Sequence, residues 1–290
     1  MAASNLRAAL LVVIAMASFC VNDAFIKDLS TRTPIGELMA VRGVFAIALM
    51  LVLLPWIGLR IGRPERFTWL RAAGEVAVTF AFLAALTMLP LGDVYTLYFA
   101  GPLLLTAGAA LFFGERVGAG RWAAVVVGFV GVLIVLGTPS GWQLASLLAL
   151  GAAFLSVTRD LATRKIPAAV GSGTVAMLTA VCVTLSGAVT AVGGRWVAMA
   201  WHDVGLCALA ALGVTGGYTA FVLALRTGEL SFVATFRYSG IPMAMALGFI
   251  VWGDRPSLQM LGGALLIMGS GLFIVLQEWG AARARATAAR

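Results

Sequence analysis

The chain has 290 residues, of which 61% are hydrophobic and 11% are charged, and its mean hydropathy is +1.01. An average soluble domain is about one quarter charged, so this composition excludes a large soluble core and favours a chain that is solvated by lipid. The formal net charge of +8 does not point to nucleic acid, because membrane topology accounts for most of the basic residues.

Long apolar runs predict membrane-spanning helices, since a helix needs roughly 20 apolar residues to cross a bilayer. The strands of a membrane barrel would alternate apolar and polar residues, and these runs do not. In chain order, the predicted helices cover residues 6–27, 34–57, 69–90, 92–113, 121–138, 143–163, 170–193, 203–226, 229–252 and 257–279. We therefore predict an all-α integral membrane protein with ten transmembrane helices.

The basic residues divide unevenly between the two membrane faces if the N-terminus is cytoplasmic. Thirteen then lie inside: Arg7, Arg60, Arg63, Arg66, Arg71, Arg116, Arg121, Arg164, Lys165, Arg226, Arg283, Arg285 and Arg290. Four lie outside: Lys27, Arg32, Arg195 and Arg255. Because cytoplasmic loops are enriched in lysine and arginine, we expect a multi-pass protein of the cell inner membrane with both termini in the cytoplasm.

Several ionisable side chains lie deep within predicted helices, where a charge is costly and marks a candidate functional residue. These residues are Asp23, Arg42, Glu75 and Arg237. At 1.5 Å of rise per residue, Asp23 and Arg42 lie at similar depths towards the outer side, and Glu75 and Arg237 towards the inner side. We predict an outer cluster that also contains Tyr98 and an inner cluster that also contains Tyr218.

These clusters have two interpretations. In the first, they line a cavity together with Tyr238, and an arginine binds the carboxylate of a zwitterionic substrate through its planar fork. Asp23 or Glu75 could then accept the substrate ammonium group or carry a coupled proton. In the second interpretation, the clusters are two structural ion pairs that hold helices together.

A repeat relates the two halves of the chain at a shift of 139 residues. The stretch "FGERVG" (113–118) returns as "GDR" (253–255), and Gly101 corresponds to Gly240. Because each copy holds five helices, an odd number, the second must enter the membrane upside down. We predict two inverted five-helix repeats, residues 1–138 and 139–290, and expect the acid–arginine triplets to form turns at helix ends.

The first copy, "AALTMLPLGDVYTLYFAGPLLLTAGAALFFGERVGAGRWAAVVVGFVGVLIVLG", resembles the EamA repeat of the drug/metabolite transporter superfamily. The second copy departs from that pattern by having Asp254 in place of the glutamate. The resemblance implies a carrier that works by alternating access, with a central cavity lined by helices 1, 3, 4, 6, 8 and 9. It also implies export of amino acids and other small metabolites, as in exporters of the YddG type.

Other features concern packing and the membrane boundary. Pro102 and Pro242 lie near the middle of predicted spans, where each is either a gating hinge or a static kink. Arg159 and Asp160 are predicted to form an interfacial group with Arg164. Small residues predict that the fifth and tenth helices are closely packed scaffold helices, with a dimer contact as the alternative: Ala124, Gly128 and Gly131 in the fifth, and Gly262 and Gly269 in the tenth.

Enzymatic function is not expected, because the single histidine lies in a predicted outer loop and no catalytic constellation or phosphate loop is present. The sequence predicts no cofactor and no metal site. The expected partners are a small-molecule substrate and the lipid bilayer, and the sequence does not specify an oligomeric state. A drug or toxic-compound efflux carrier is the closest alternative function, and a membrane channel is an alternative from another class.

Overall fold

The fold is described from a computed structural model for residues 2–56, 61–113, 118–137, 144–167, 169–194, 196–227 and 235–288. The helices in these ranges are α1 (Ala2–Leu29), α2 (Ile35–Trp56), α3 (Arg66–Met88), α4 (Leu91–Tyr98), α5 (Gly101–Phe113), α6 (Ala119–Leu136), α7 (Leu144–Arg164), α8 (Ser172–Val192), α9 (Trp201–Thr227), α10 (Gly240–Trp252) and α11 (Leu258–Ala288). A 3₁₀ turn, Arg237–Ser239, directly precedes α10. The prediction of an all-α membrane protein is confirmed, since eight of the described helices are long and apolar enough to cross a membrane.

The two predicted spans that contain the mid-span prolines are interrupted rather than continuous. Residues 92–113 form α4 and α5, which are separated at Phe99 and Ala100. In the described part of residues 229–252, the 3₁₀ turn precedes α10. Pro102 and Pro242 therefore lie in the first turns of new helices, where the missing proline N–H breaks no intrahelical bond. The prediction of continuous helices at these positions is wrong, and the interruptions fall at corresponding places in the two halves.

Helix packing follows a regular scheme across the chain. Helix α1 packs against α9 and α3 packs against α7, while α2 packs against α8, α4 against α10, and α6 against α11. Each of these contacts joins a helix from residues 1–138 to one from residues 139–290. Exchange of each helix for its counterpart 139 residues away maps the α1–α9 contact onto the α7–α3 contact and leaves the α2–α8 and α6–α11 contacts unchanged.

Two of these crossings place glycine backbones against each other. A Cβ atom on Gly131 of α6 would lie 2.8 Å from the Gly263 carbonyl oxygen of α11, and one on Gly263 would lie 2.7 Å from the Gly131 oxygen. At the α2–α8 crossing, a Cβ on Gly187 would lie 2.7 Å from the Gly36 oxygen. These helices approach closely because no side chain separates them.

The predicted packing glycines of the last helix are corrected by the structure. A Cβ atom on Gly262 or Gly269 would meet nothing within 4 Å, whereas Gly263 forms the contact with α6. The buried face of α11 contains Gly263, Ile267 and Ser270, so it is offset by one residue from the seven-residue pair seen in the sequence. A spacing of seven identifies one helix face but not which face meets the neighbour.

Lys27 marks one end of the bundle, where α1 and α3 end and α4 begins; we call it the Lys27 end. The Lys27 ammonium group donates to the Leu86 carbonyl oxygen at 2.9 Å and to that of Leu89, at the C-terminus of α3. The ammonium also lies 5.7 Å from the centre of the Trp252 ring, after which α10 ends. A cation at a helix C-terminus satisfies carbonyls that have no intrahelical partner, so Lys27 joins α1 to α3 and α10 at this end.

Further ties at the Lys27 end involve the loops. Arg32 bridges Asp28 of α1 and Asp203 of α9, at 2.9 and 3.0 Å, and its hydrogen bond to Asp28 contributes most to the raised pKa of the arginine. Glu37 in the first turn of α2 is fully buried, and its Oε2 accepts a hydrogen bond from the Val197 backbone N–H at 3.0 Å. The segment that precedes α9 is thereby held against α2.

The second acid–arginine triplet ends a helix, as predicted. Gly253 adopts a left-handed conformation with φ of +72°, and its N–H bonds to the Phe249 carbonyl oxygen at 3.0 Å. The Asp254 N–H reaches back to the Gly248 oxygen at 3.2 Å. This geometry is a glycine C-cap, in which glycine is favoured because it has no Cβ atom. The first triplet, Gly114–Arg116, lies outside the described residues.

Candidate functional site

A buried polar network surrounds Asp23 in α1. The Tyr95 hydroxyl of α4 donates to Asp23 Oδ2 at 2.6 Å, and the Asn22 side-chain amide donates to Asp23 Oδ1 at 2.7 Å. Arg42 of α2 donates from Nη1 to the Asn22 side-chain oxygen at 3.2 Å. All four side chains are less than one tenth exposed. Asn22 therefore lies between the carboxylate and the guanidinium. The network as a whole links α1, α2 and α4.

The predicted outer cluster is correct for Asp23 and Arg42 and is corrected for the tyrosine. Tyr95, rather than Tyr98, donates to Asp23. The two tyrosines are three residues apart on α4, so Tyr98 lies about one turn deeper along the helix axis. Asn22 was missed by sequence reasoning, although its position next to a buried acid is a signal that could have found it.

A second polar network joins α3 to α7 and α8. Glu75 of α3 pairs with Arg159 of α7 at 3.1 Å and with Arg71, one turn earlier in α3, at 3.5 Å. Arg71 also donates to the Thr179 hydroxyl of α8 at 2.6 Å, and Arg159 pairs with Asp160 at 2.8 Å. Arg71 and Arg159 therefore each have a carboxylate neighbour.

The prediction that Arg159 belongs to an interfacial group is wrong. Its side chain is 11% exposed and is directed at Glu75, inside the bundle. Depth along the helix was estimated correctly, but the direction of the side chain was not, because the face of α7 that meets α3 is a property of the packing. Glu75 consequently forms ion pairs with two arginines of this network, and neither of them is Arg237.

The predicted inner tyrosine lies beside the Glu75 network. Tyr218 of α9 is close enough to Arg71 and Glu75 to interact with both electrostatically. On the opposite side, Tyr98 interacts electrostatically with Arg159. Tyr98 and Tyr218 are half-buried, so part of each ring surface is open. The structure therefore brings both tyrosines to the same charged network, from α4 and from α9.

Aromatic rings connect the two helix interruptions. Phe82 of α3 contacts Tyr95 and Tyr98 edge-on, with ring centres 5.9 and 5.2 Å apart. Phe99, at the first interruption, lies 5.8 Å from Tyr238 in the 3₁₀ turn at the second interruption. The candidate residue Tyr238 is thus placed in a continuous aromatic cluster that spans both halves of the chain.

The second interruption carries polar atoms that are buried and lack a hydrogen-bond partner in the described part of the chain. They are Arg237 Nε, the Tyr238 hydroxyl and the Ser239 hydroxyl. The Arg237 guanidinium lies 5.5 Å from the centre of the Phe221 ring of α9. Within the described residues, no carboxylate lies at salt-bridge distance from Arg237. Arg237 as a whole is half-buried, and its buried, unpartnered Nε atom favours a ligand that accepts a hydrogen bond, such as an anion.

These groups surround a common central region of the bundle. Tyr218 and Phe221 are one turn apart on α9, so the Glu75 network and Arg237 are joined through one face of that helix. The arrangement combines cations, a carboxylate, open tyrosine surfaces and a helix N-terminus, which together can bind a small charged or zwitterionic molecule. In the described residues, no group of histidine, cysteine, aspartate and glutamate side chains could hold a metal ion.

Comparisons with known proteins agree with this architecture. Residues 6–137 match the model of the EamA-like transporter family. A riboflavin transporter of Vibrio cholerae is 27% identical over 281 residues, which cover 94% of this chain and 94% of the relative. The pseudopaline exporter CntI of Pseudomonas aeruginosa is 23% identical, with 89% and 92% covered.

Two further similarities cover most of the chain. An S-adenosylmethionine uptake transporter of Rickettsia bellii is 24% identical, with 92% of each chain covered. A solved crystal structure aligns with a TM-score of 0.64 at 18% identity, over 92% of this chain and 96% of that chain. The structural similarity supports the fold, and the relatives are membrane transporters rather than enzymes.

Proposed function

We propose that this chain is a membrane transporter of the EamA family, and that it moves amino acids and related small metabolites across the inner membrane by alternating access, in the direction of export. Arg237 binds the substrate carboxylate. The observation that carries the proposal is the buried Arg237 Nε atom, which lacks a hydrogen-bond partner in the described residues and lies at the interruption of a membrane-spanning segment.

The position of Arg237 suits recognition of a carboxylate. The guanidinium offers a planar pair of donors that matches a carboxylate. Interrupted helices near the membrane centre are a recurrent feature of transporter binding sites. Tyr98 and Tyr218 are proposed to face the remainder of the substrate, and their hydroxyl oxygens are candidate acceptors for an ammonium group.

The helix pairing supports the proposed repeat organisation, with residues 1–138 and 139–290 as inverted halves. Exchange of the two halves converts the α1–α9 contact into the α7–α3 contact and leaves the α2–α8 and α6–α11 contacts in place. Two related halves can exchange conformations, which provides alternating access to one site. We propose that Pro102 and Pro242 act as hinges, because each lies in the first turn after an interruption, and that both termini are cytoplasmic.

The names of the relatives support a small-metabolite substrate more directly than an amino acid. S-adenosylmethionine contains a methionine group with its carboxylate, which fits a site in which an arginine binds the substrate carboxylate. The relatives include both an exporter and uptake transporters, so the export direction rests on the resemblance of the repeat motif.

Riboflavin is a second candidate substrate, favoured by the aromatic cluster. The aromatic rings contact one another in successive pairs: Phe82 with Tyr98, Tyr98 with Phe99, and Phe99 with Tyr238. Planar ring systems stack on such surfaces. Riboflavin carries no carboxylate, so its transport would not require the Arg237 charge.

The test is counterflow into liposomes that contain the purified protein, with a panel of labelled amino acids and riboflavin. We expect saturable counterflow of amino acids and a loss of roughly 10- to 100-fold in kcat/KM for Arg237→Ala, which corresponds to one charge-assisted hydrogen bond. Arg32→Gln is the matched control, because that arginine lies in an exposed ion pair at the bundle end. Counterflow of riboflavin alone, unaffected by Arg237→Ala, would replace the amino acid proposal with the second candidate.

A further inference from the structure

Two membrane-embedded acids differ sharply in their partners. Glu75 accepts direct ion pairs from Arg71 and Arg159. Asp23 receives hydrogen bonds only from neutral donors among its described partners, Tyr95 and Asn22. Arg42 reaches Asp23 through the Asn22 side chain rather than directly. The two acids therefore have different electrostatic costs when ionised.

We infer that Asp23 is a proton-binding site of this transporter and that Glu75 is a structural acid held in ion pairs. A buried carboxylate that lacks a direct counter-charge is costly as an anion, and taking up a proton removes that cost. Glu75 has two guanidinium neighbours, Arg71 and Arg159, so the same argument does not apply to it. The proton is thus the co-substrate assigned to the site, and its coupling to transport rests on the proposed function.

The network can accommodate the added proton at one oxygen. When Asp23 Oδ2 gains a hydrogen, that O–H donates to the Tyr95 hydroxyl oxygen, and the Tyr95 hydrogen must turn away. The Cys20 thiol already interacts with the Tyr95 hydroxyl and can accept that hydrogen. Asn22 cannot reverse in this way, because its amide nitrogen only donates while its oxygen accepts from Arg42. Tyr95 is therefore the partner that responds to protonation.

The ionisable groups around Asp23 are contributed by four helices. They are Cys20 and Lys27 of α1, Arg42 of α2, Tyr95 of α4 and Cys207 of α9. Lys27 lies one turn along α1, and its ammonium group is directed at the carbonyls that end α3. Cys207 interacts with Arg42 rather than with Asp23. The nearest full charge is consequently Arg42, with Asn22 between it and the carboxylate.

A chain of polar contacts leads from the proton site to the helix interruption. Asp23 contacts Tyr95, Tyr95 contacts Cys20, and the Cys20 thiol donates to the Gly240 carbonyl oxygen at 3.6 Å. Gly240 is the first residue of α10 and follows the turn that contains Arg237. A change in the direction of the Tyr95 hydroxyl therefore acts on the segment that positions Arg237, the residue proposed to bind the substrate carboxylate.

The first test does not depend on the substrate. Infrared difference spectra of the purified full chain are recorded during a pH titration, and the carbonyl stretch of a protonated carboxylic acid is compared between wild type and Asp23→Asn. We expect a titrating band that is absent in Asp23→Asn and retained in Glu75→Gln. Gel filtration confirms that each variant is folded. An unchanged band in Asp23→Asn, or a band lost in Glu75→Gln, would overturn the assignment.

The second test measures coupling. Liposomes that contain the protein and an internal pH dye receive a gradient of a substrate identified by counterflow. In wild type we expect the substrate to drive a pH change, whereas in Asp23→Asn the pH change per substrate molecule moved should fall by at least 90%. Counterflow without any pH change in wild type would refute coupling and leave the transport proposal intact. If no substrate shows counterflow, the transport proposal fails, and the infrared result still decides whether Asp23 binds a proton.

Discussion

The crossing of α6 and α11 makes a quantitative prediction about stability. A Cβ atom on Gly263 would lie 2.7 Å from the Gly131 carbonyl oxygen and 3.2 Å from the Val135 nitrogen. Ordinary contacts of a Cβ atom begin at 3.4 Å, so Gly263→Ala must separate the two backbones by about 0.7 Å, the difference between 3.4 and 2.7 Å. The nearest atom to this Cβ is the Cγ2 methyl of Val135, and the Gly131 oxygen and Val135 nitrogen are backbone atoms that cannot turn aside. Overpacking of this kind costs about 1–3 kcal/mol.

Gly262→Ala is the matched control in the same turn of the same helix. A Cβ atom there would meet nothing within 4 Å, and the gain in helix propensity is the same for both substitutions, so it cancels in the comparison. We expect Gly263→Ala to unfold at a temperature roughly 2–12 °C below that of Gly262→Ala, from about 1–3 kcal/mol at about 2–4 °C per kcal/mol. The assay is intrinsic tryptophan fluorescence of the detergent-solubilised protein during heating.

The same geometry predicts how substitutions combine. A Cβ atom on Gly131 would lie 2.8 Å from the Gly263 oxygen, so either alanine alone forces the helices apart. Once they are apart, the second alanine costs less, and the double variant should lose less stability than the sum of the single variants. Equal melting temperatures for Gly262→Ala and Gly263→Ala would refute the inferred backbone contact.

Three further predictions concern the polar contacts. Glu75→Gln should destabilise the protein more than the double variant Glu75→Gln/Arg71→Gln. The single change leaves the Arg71 guanidinium without a carboxylate among the described residues, whereas Arg159 keeps Asp160; thermal melts test this order, and the reverse order would contradict the ion pair. Lys27→Met should increase labelling, from the Lys27 side, of a cysteine introduced into α4, because the carbonyls that end α3 lose their cation; unchanged labelling would show that Lys27 does not close this end. Arg32→Gln should change the melting temperature by less than the equivalent of about 1 kcal/mol, and its effect should vanish in high salt, because the ion pair with Asp203 is exposed.

Much of the architecture follows from the sequence because lipid imposes strict rules on it. Apolar runs of about 20 residues must become helices, and the unequal distribution of basic residues predicts their orientation. The 139-residue shift also placed Gly101 opposite Gly240, and both begin a helix after an interruption. These signals are local in the chain, so they can be read without knowing which helices touch.

The grouping of the candidate residues depended on tertiary structure. Depth along a helix paired Asp23 with Arg42 correctly, but the direction of a side chain around the helix axis is set by the neighbours. Tyr95 and Tyr98 lie on one short helix, and only the packing of α4 against its neighbours decided that Tyr95 contacts Asp23. Arg159 likewise lies near a helix end in the sequence and inside the bundle in the structure.

The sequence by itself determined that the chain is a helical membrane protein, and it predicts two related halves, because hydropathy and periodicity are properties of consecutive residues. Only the tertiary structure decided which acid has a direct counter-charge. Asp23 and Glu75 are equivalent as buried carboxylates in the sequence, and they differ because α7 brings Arg159 to Glu75 while Asn22 separates Arg42 from Asp23. A contact between residues 84 positions apart is created by helix packing, and no local pattern records it.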